Sequence, residues 1–291
     1  MGVEHWSAAR AQPMDDTLSL RDFRKIAASV NETSGIKLPD GKRMMLEGRV
    51  RKRALQAGFA SIAAYCGYLF NKGGLAEELP YLVDVATTNK TDFFREPDHF
   101  TFLERTAVPA LLACDRPQPP RLKMWSAASS NGAEIYTIAM VLADMVAAGQ
   151  AFDWHILGTD LSASMIADAK RAVYSQDVIA PVPDAKQSRY VMFARAPGVI
   201  PKVRIAPELR CHTEFRTLNL MDKRYNVDRD FDVIFLRNVL IYFEPEDQEA
   251  VVMRLRQHLR PGGYLVLGHA ESMVGTRLGW SQVAPAVFQE C

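Results

Sequence analysis

The hydrophobic rhythm of the chain changes near residue 121. Before it, apolar positions recur at the three- and four-residue spacing of a helix face. Phe23, Ile26, Ala27 and Val30 follow Ser19 and Asp22, which have the form of a capping box, and Leu46, Val50 and Ala54 mark one face of a helix over 40–57. Further helices are predicted over 61–70, 74–86 and 97–114. Residues 1–16 show no periodicity and are expected to be disordered. After residue 121, short runs of branched and aromatic residues alternate with amphipathic segments. Strands are predicted at 122–128, 154–160, 231–236, 264–268 and 286–289, with a turn at 260–263 and helices over 132–147, 162–173 and 245–259. Such alternation means βαβ units, a parallel sheet and right-handed crossovers.

The alternation fails over 176–216, where the pieces Tyr190–Phe193, Val203–Ile205 and Thr213–Phe215 read as an inserted antiparallel β-subdomain. The expected organisation is therefore a helical N-terminal domain over 17–96, a linker helix and Pro-rich connection over 97–120, and a sheet domain over 121–291. A formal net charge of +1 offers no global attraction to nucleic acid. No apolar run approaches membrane-spanning length, no secretory signal opens the chain, and the four cysteines contain no C-x-x-C pair, so a cytoplasmic protein is expected. Basic residues concentrate in the second helix, where Lys42, Arg49 and Arg53 share a face. That face is either solvated or a docking surface for an acidic helical partner.

Chemistry concentrates at three places. In an open α/β sheet, ligands sit beyond the carboxyl ends of the strands. At the end of the strand Phe231–Leu236 the apolar run breaks into the polar pair Arg237-Asn238. The turn Ser126-Ala127-Ala128-Ser129-Ser130-Asn131-Gly132-Ala133-Glu134 opens a helix with small residues and an early acid. It is not G-x-G-x-x-G, and Glu134 would repel a phosphate and attract a cation, which argues against a dinucleotide. Asp160 ends the next strand, where a carboxylate can accept ribose hydroxyls or cap the following helix. A ligand with a ribose, an ammonium group and no phosphate is S-adenosylmethionine, so the residues favour a methyltransferase. His5, His99, His155, His212, His258 and His269 show no ligand-like grouping in the sequence, and no metal is expected.

Four segments resemble one family, the chemotaxis receptor glutamate O-methyltransferases (the CheR family). They are Thr88-Asn89-Lys90-Thr91-Asp92-Phe93-Phe94-Arg95-Glu96, Trp125–Tyr136, Phe231–Phe243 and Gly268-His269-Ala270-Glu271-Ser272. The resemblance implies a Rossmann-like S-adenosylmethionine-dependent sheet with a small helical N-terminal domain and an inserted β-subdomain. Carried over position by position, it implies that Asn89, Thr91 and Arg95 line the cofactor and reaction site and that Glu134 holds the methionine ammonium. Asp160 would hold the ribose, Asn219 and Leu220 would contact the adenine region, and Arg237 and Asn238 would complete the pocket beside Tyr242. Arg95 and Tyr242 would be the catalytic pair, with S-adenosylhomocysteine as product. Asn131, Ala133, Ile135 and Leu236 depart from the family pattern. The implied partner is the acidic helical bundle of a chemoreceptor. Some relatives bind a receptor's C-terminal peptide on the β-subdomain, whose turn is here Ala194-Arg195-Ala196-Pro197-Gly198. A methyltransferase for another acceptor and a non-catalytic cofactor sensor are the competing readings.

Overall fold

The computed structural model describes residues 16–87, 89–114, 119–193 and 202–290. The expected disorder of the first residues, the Pro-rich connection around 115–118, Thr88 and the turn Ala194–Gly198 lie wholly or largely outside them. The chain divides into two compact units. One comprises the helices up to Ala86, and the other comprises Thr33–Lys37 and everything from Thr87 onward.

The first unit holds α1 (Leu20–Ser34, its last residues counted with the second unit), α2 (Arg43–Gln56), α3 (Ile62–Asn71) and α4 (Leu75–Ala86). Ser19 caps α1: its Oγ accepts the Asp22 amide at 3.0 Å and donates to the Asp22 carboxylate at 2.7 Å. Leu46, Val50 and Ala54 are buried along α2, as their spacing requires. Arg53 is half-buried and fully engaged. Its Nε and Nη2 donate to both Glu78 carboxylate oxygens at 2.7 and 2.6 Å, Tyr65 adds a 2.6 Å hydrogen bond, and the guanidinium lies 3.5 Å from the Tyr81 ring centroid. Arg49 donates to the Val85 carbonyl at 2.9 Å. Of the three cations expected to share a docking face, Arg53 is engaged by Glu78 and pins α2 to α4 rather than standing free in solvent.

The second unit is built on a seven-stranded sheet in the order β6-β2-β1-β7-β8-β10-β9. Its strands are β1 (Arg121–Ala127), β2 (Asp153–Asp160), β6 (Thr213–Thr217), β7 (Phe231–Leu236), β8 (Leu259–Leu267), β9 (Ser281–Ala284) and β10 (Val287–Gln289). The five strands from β6 to β8 are parallel, and β10 runs antiparallel between β8 and β9. All six residues of β7 are buried, as a strand covered on both faces demands. The residues expected to form a turn at 260–263 are absorbed into β8, with a register shift opposite Phe231–Val233.

Two expectations change. Thr213–Thr217 belongs to the main sheet, paired in parallel with β2, and not to the insertion. The small antiparallel sheet is β3 (Val173–Ser175), β5 (Lys202–Ile205) and β4 (Val191–Phe193) in that order, so it begins before residue 176. Nor is the helix after Pro97 a free linker. It runs through α5 (Asp98–Phe102), a π turn over Leu103–Ala107 and α6 (Val108–Leu112). Phe100, Leu103, Ala107, Val108 and Leu111 are buried in the core of the sheet unit, so an apolar stripe that reads as a connector is a packed layer. No described helix is long and apolar enough to cross a membrane.

Candidate active site

The carboxyl ends of β1, β2, β7 and β8 converge on the three segments that the sequence marks out. The turn after β1 is left-handed at Ala128, Ser130 and Gly132. At Gly132 (φ 88°) a Cβ would come within 3.0 Å of the Ala169 Cβ, so glycine serves both the backbone conformation and the close approach of α8 (Ala163–Arg171). Asp160 clamps this turn. One carboxylate oxygen accepts the Ser130 amide at 2.8 Å and the other the Ser162 amide at 2.9 Å. Ser162, not Asp160, supplies the side-chain cap of α8, accepting the Met165 amide at 3.1 Å.

Segment 89–96 runs alongside. The Asn89 carbonyl accepts the Ser130 hydroxyl at 2.9 Å and the Phe94 amide donates to Thr137 on α7 (Ala133–Ala147) at 3.2 Å. Phe93 is buried edge-on to Tyr174, so the aromatics anchor the segment while Asn89, Thr91 and Arg95 stay partly exposed. The Arg95 guanidinium donates to the Lys90 carbonyl at 3.1 Å and has no acidic partner among the described residues.

Arg237, past the end of β7, is the electrostatic centre. Its side chain is 2% exposed. Nη1 donates to Glu134 at 2.8 Å, and Nη2 to Glu96 at 3.1 Å and to the Arg95 carbonyl, while Nε is buried without a partner. Ser126 donates to the other Glu134 oxygen at 2.7 Å. Glu96 also takes the Asn238 side-chain amide at 3.0 Å. Burial alone would raise the Glu96 carboxyl, but the Asn238 amide and the Arg237 guanidinium together hold it below the usual carboxylate range. One guanidinium thus faces two carboxylates.

Asn238 has a left-handed backbone (φ 59°). Glu271, buried beyond β8, accepts the Asn238 and Gly268 amides at 2.8 Å each and the Ile241 amide at 3.3 Å. Burial pushes its carboxyl up in spite of those amides. A Cβ on Gly268 would fall 2.7 Å from Glu271 Oε2, which fixes glycine at that strand tip.

Asn219 and Leu220 follow β6. The Asn219 side chain donates to the Thr33 carbonyl at 2.6 Å and accepts the Met221 amide at 3.0 Å, and the Leu220 carbonyl accepts from Tyr225 and Arg254. The polar atoms of Asn219 therefore already tie in the stretch Thr33–Lys37. The same stretch reaches Tyr242, half-buried at the end of a single turn over Leu240–Tyr242, whose carbonyl accepts the Lys37 amide at 3.0 Å.

Sequence reasoning missed four participants: Glu96, Glu271, His99 and the Thr33–Lys37 stretch. Glu96 and Glu271 stand inside the quoted motifs, and an acid beside strand-end residues was the available signal. The histidines show no ligand-like grouping along the sequence, yet His99 and His269 lie ring to ring, with centroids 4.7 Å apart, next to Glu96. The fold brings β8's tip back to the start of α5, which no local spacing reveals.

The residues suit an adenosyl amino acid. Partly exposed Glu134 is one of two carboxylates that share the single guanidinium of Arg237, Asp160 stands at the tip of β2 beside the turn, and the turn 126–134 carries no cation for a phosphate.

Fold and site together define an S-adenosylmethionine-dependent methyltransferase. Residues 89–287 match the CheR methyltransferase, SAM binding domain, and residues 21–87 match the CheR methyltransferase, all-alpha domain. The chain is 34% identical over 265 residues to the chemotaxis protein methyltransferase of Salmonella typhimurium, covering 89% of this chain and 87% of that one. The corresponding protein of Borreliella burgdorferi is 30% identical over 271 residues, covering 92% and 94%, and that of Escherichia coli 33% over 263 residues, covering 89% and 87%. The chain belongs to the CheR methyltransferase family.

Proposed function

We propose that this enzyme acts in the cytoplasm and esterifies glutamate side chains on the helical cytoplasmic bundle of a chemoreceptor, releasing S-adenosylhomocysteine. The observation that carries the reading is Arg95. It is a half-buried guanidinium without an acidic partner among the described residues, on the segment that borders the cofactor turn, where an anionic acceptor would be welcome. The names of the relatives support a chemotaxis setting.

A glutamate has an ordinary pKa of about 4.3, so it arrives ionised and no residue need remove a proton. When bound, the cofactor supplies an electrophilic methyl group on a sulfonium. The work left to this chain is placement, which can be worth about 7–11 kcal/mol. In this account Arg95 turns the acceptor carboxylate toward the methyl group, Tyr242 packs against the sulfonium side, and Asn89 and Thr91 line the entrance. Glu134 takes the ammonium and Asp160 the ribose. Asn219 and Leu220 border the adenine, with Asn219 acting through its hold on Thr33. Arg237 and Asn238 keep Glu134 and Glu96 apart and oriented. Excluding water from an ion pair that loses its charges on reaction favours the transition state. Lys42, which precedes α2, and the exposed Lys52 on α2 are cations that an acidic bundle could meet, and a receptor peptide on the β3-β5-β4 sheet is a second contact.

The test is incubation with methyl-labelled cofactor and a receptor cytoplasmic fragment. Label released as methanol by mild base identifies a carboxyl ester. Label that stays on protein through base, or moves only to a small molecule, refutes the assignment.

A further inference from the structure

We propose that Glu96, His99 and His269 form a binding site for a divalent transition-metal ion of the zinc, cobalt and nickel class. One ligand atom from each lies within 4.8 Å of the others. His99 is 1% exposed, its Nε2 is 3.3 Å from the Pro285 carbonyl, and its Nδ1 is buried with no hydrogen-bond partner. A carbonyl at Nε2 fixes the proton there and leaves Nδ1 as a bare lone pair, the arrangement in which an outer carbonyl orients a ligating imidazole. That lone pair points at a carboxylate: Nδ1 is 3.5 Å from Glu96 Oε2. Two acceptors facing each other gain nothing without a cation between them. Their spacing is close to the roughly 3.3 Å expected between two ligands of a tetrahedral zinc with bonds of about 2.0–2.1 Å.

The third ligand lies at the surface of the site. The His269 side chain is 43% exposed and its Nε2 is 3.3 Å from Asp98, which stands ready as a fourth oxygen donor or as the outer partner of the ring. Charge favours occupation. Glu96, Asp98 and Glu134 are three carboxylates against the single guanidinium of Arg237. Imidazole with carboxylate selects this class of metal over magnesium or calcium, which prefer all-oxygen shells. Such an ion would staple the start of α5 to the tip of β8 and reach the cofactor cradle through Glu96. It has no part in the proposed methyl transfer, so the two readings fail independently.

The experiment uses the full chain, stripped with a chelator and desalted, and titrated with cobalt(II) chloride. Expected is one equivalent of cobalt giving a visible d–d band, displaced by zinc chloride. In His269→Ala, a surface change that leaves the core untouched, affinity should fall at least ~100-fold, beyond what loss of an outer partner causes. His99→Gln, which keeps a donor for the Pro285 carbonyl, should do the same. Absence of the band in the parent protein, or its persistence at equal affinity in both variants, would overturn the proposal.

Discussion

Two ion-paired arginines, one in each unit, half-buried Arg53 and buried Arg237, show how the same side chain can serve opposite ends. Arg53 meets a single carboxylate in a bidentate pair, with a tyrosine hydroxyl on that carboxylate and a ring beneath the guanidinium. The charge is closed within the helical unit. Arg237 sits between Glu96 and Glu134, also gives a donor to a backbone carbonyl, and keeps an orphaned Nε. A packing arginine is neutralised one for one. A site arginine is outnumbered, which leaves negative charge for a ligand to answer.

Arg237→Ala should have the largest effect. Glu96 and Glu134 lose their shared counter-charge, and methyl transfer should fall about 10³-fold, with a loss of ~3–5 kcal/mol in urea unfolding. Arg53→Ala should cost the fold a similar ~3–5 kcal/mol while leaving cofactor affinity, read by calorimetry, within about twofold. If Arg53→Ala instead changed cofactor affinity, the contrast would break. Arg95→Ala should lower kcat by about 10²-fold with unfolding unchanged, because its guanidinium makes no structural ion pair among the described residues. Near-normal turnover would remove it from the reaction.

Acid should separate the two units more gently. Hydrogen bonding from Arg53 holds the Glu78 carboxyl below the usual carboxylate range against the cost of burial. A carboxyl lowered by folding contributes stability fully above the ordinary value and loses it as pH falls through the folded-state value. Circular dichroism of α1–α4 should therefore weaken below about pH 4.5 in the parent protein, and Glu78→Gln should flatten that dependence. Tyr242→Phe keeps the ring face and should leave turnover within about threefold, the smallest change of the set.

The contrast also explains what could be read in advance. The βαβ alternation and its buried strands were legible because β7, buried throughout, is an unbroken apolar run. The edge strand Thr213–Thr217 was misplaced because only Phe215 is fully buried, so it looks like any short β piece. The helix after Pro97 showed its apolar stripe but not what covers it. Arg53 looked like a docking cation because periodicity gives the face of a helix, not which side chain finds a partner 25 residues away. Glu96 and His99 were near neighbours in the sequence, yet His269 arrives only through the sheet, 173 residues beyond Glu96.

The most direct measurement is calorimetric binding of S-adenosylhomocysteine to the parent protein and to Glu134→Gln. If surplus carboxylate around Arg237 receives the ligand's ammonium, the parent binds and the variant loses about 1.5–3 kcal/mol, roughly 10- to 150-fold in Kd. Equal affinity in the two proteins, or no binding by the parent, would contradict the account.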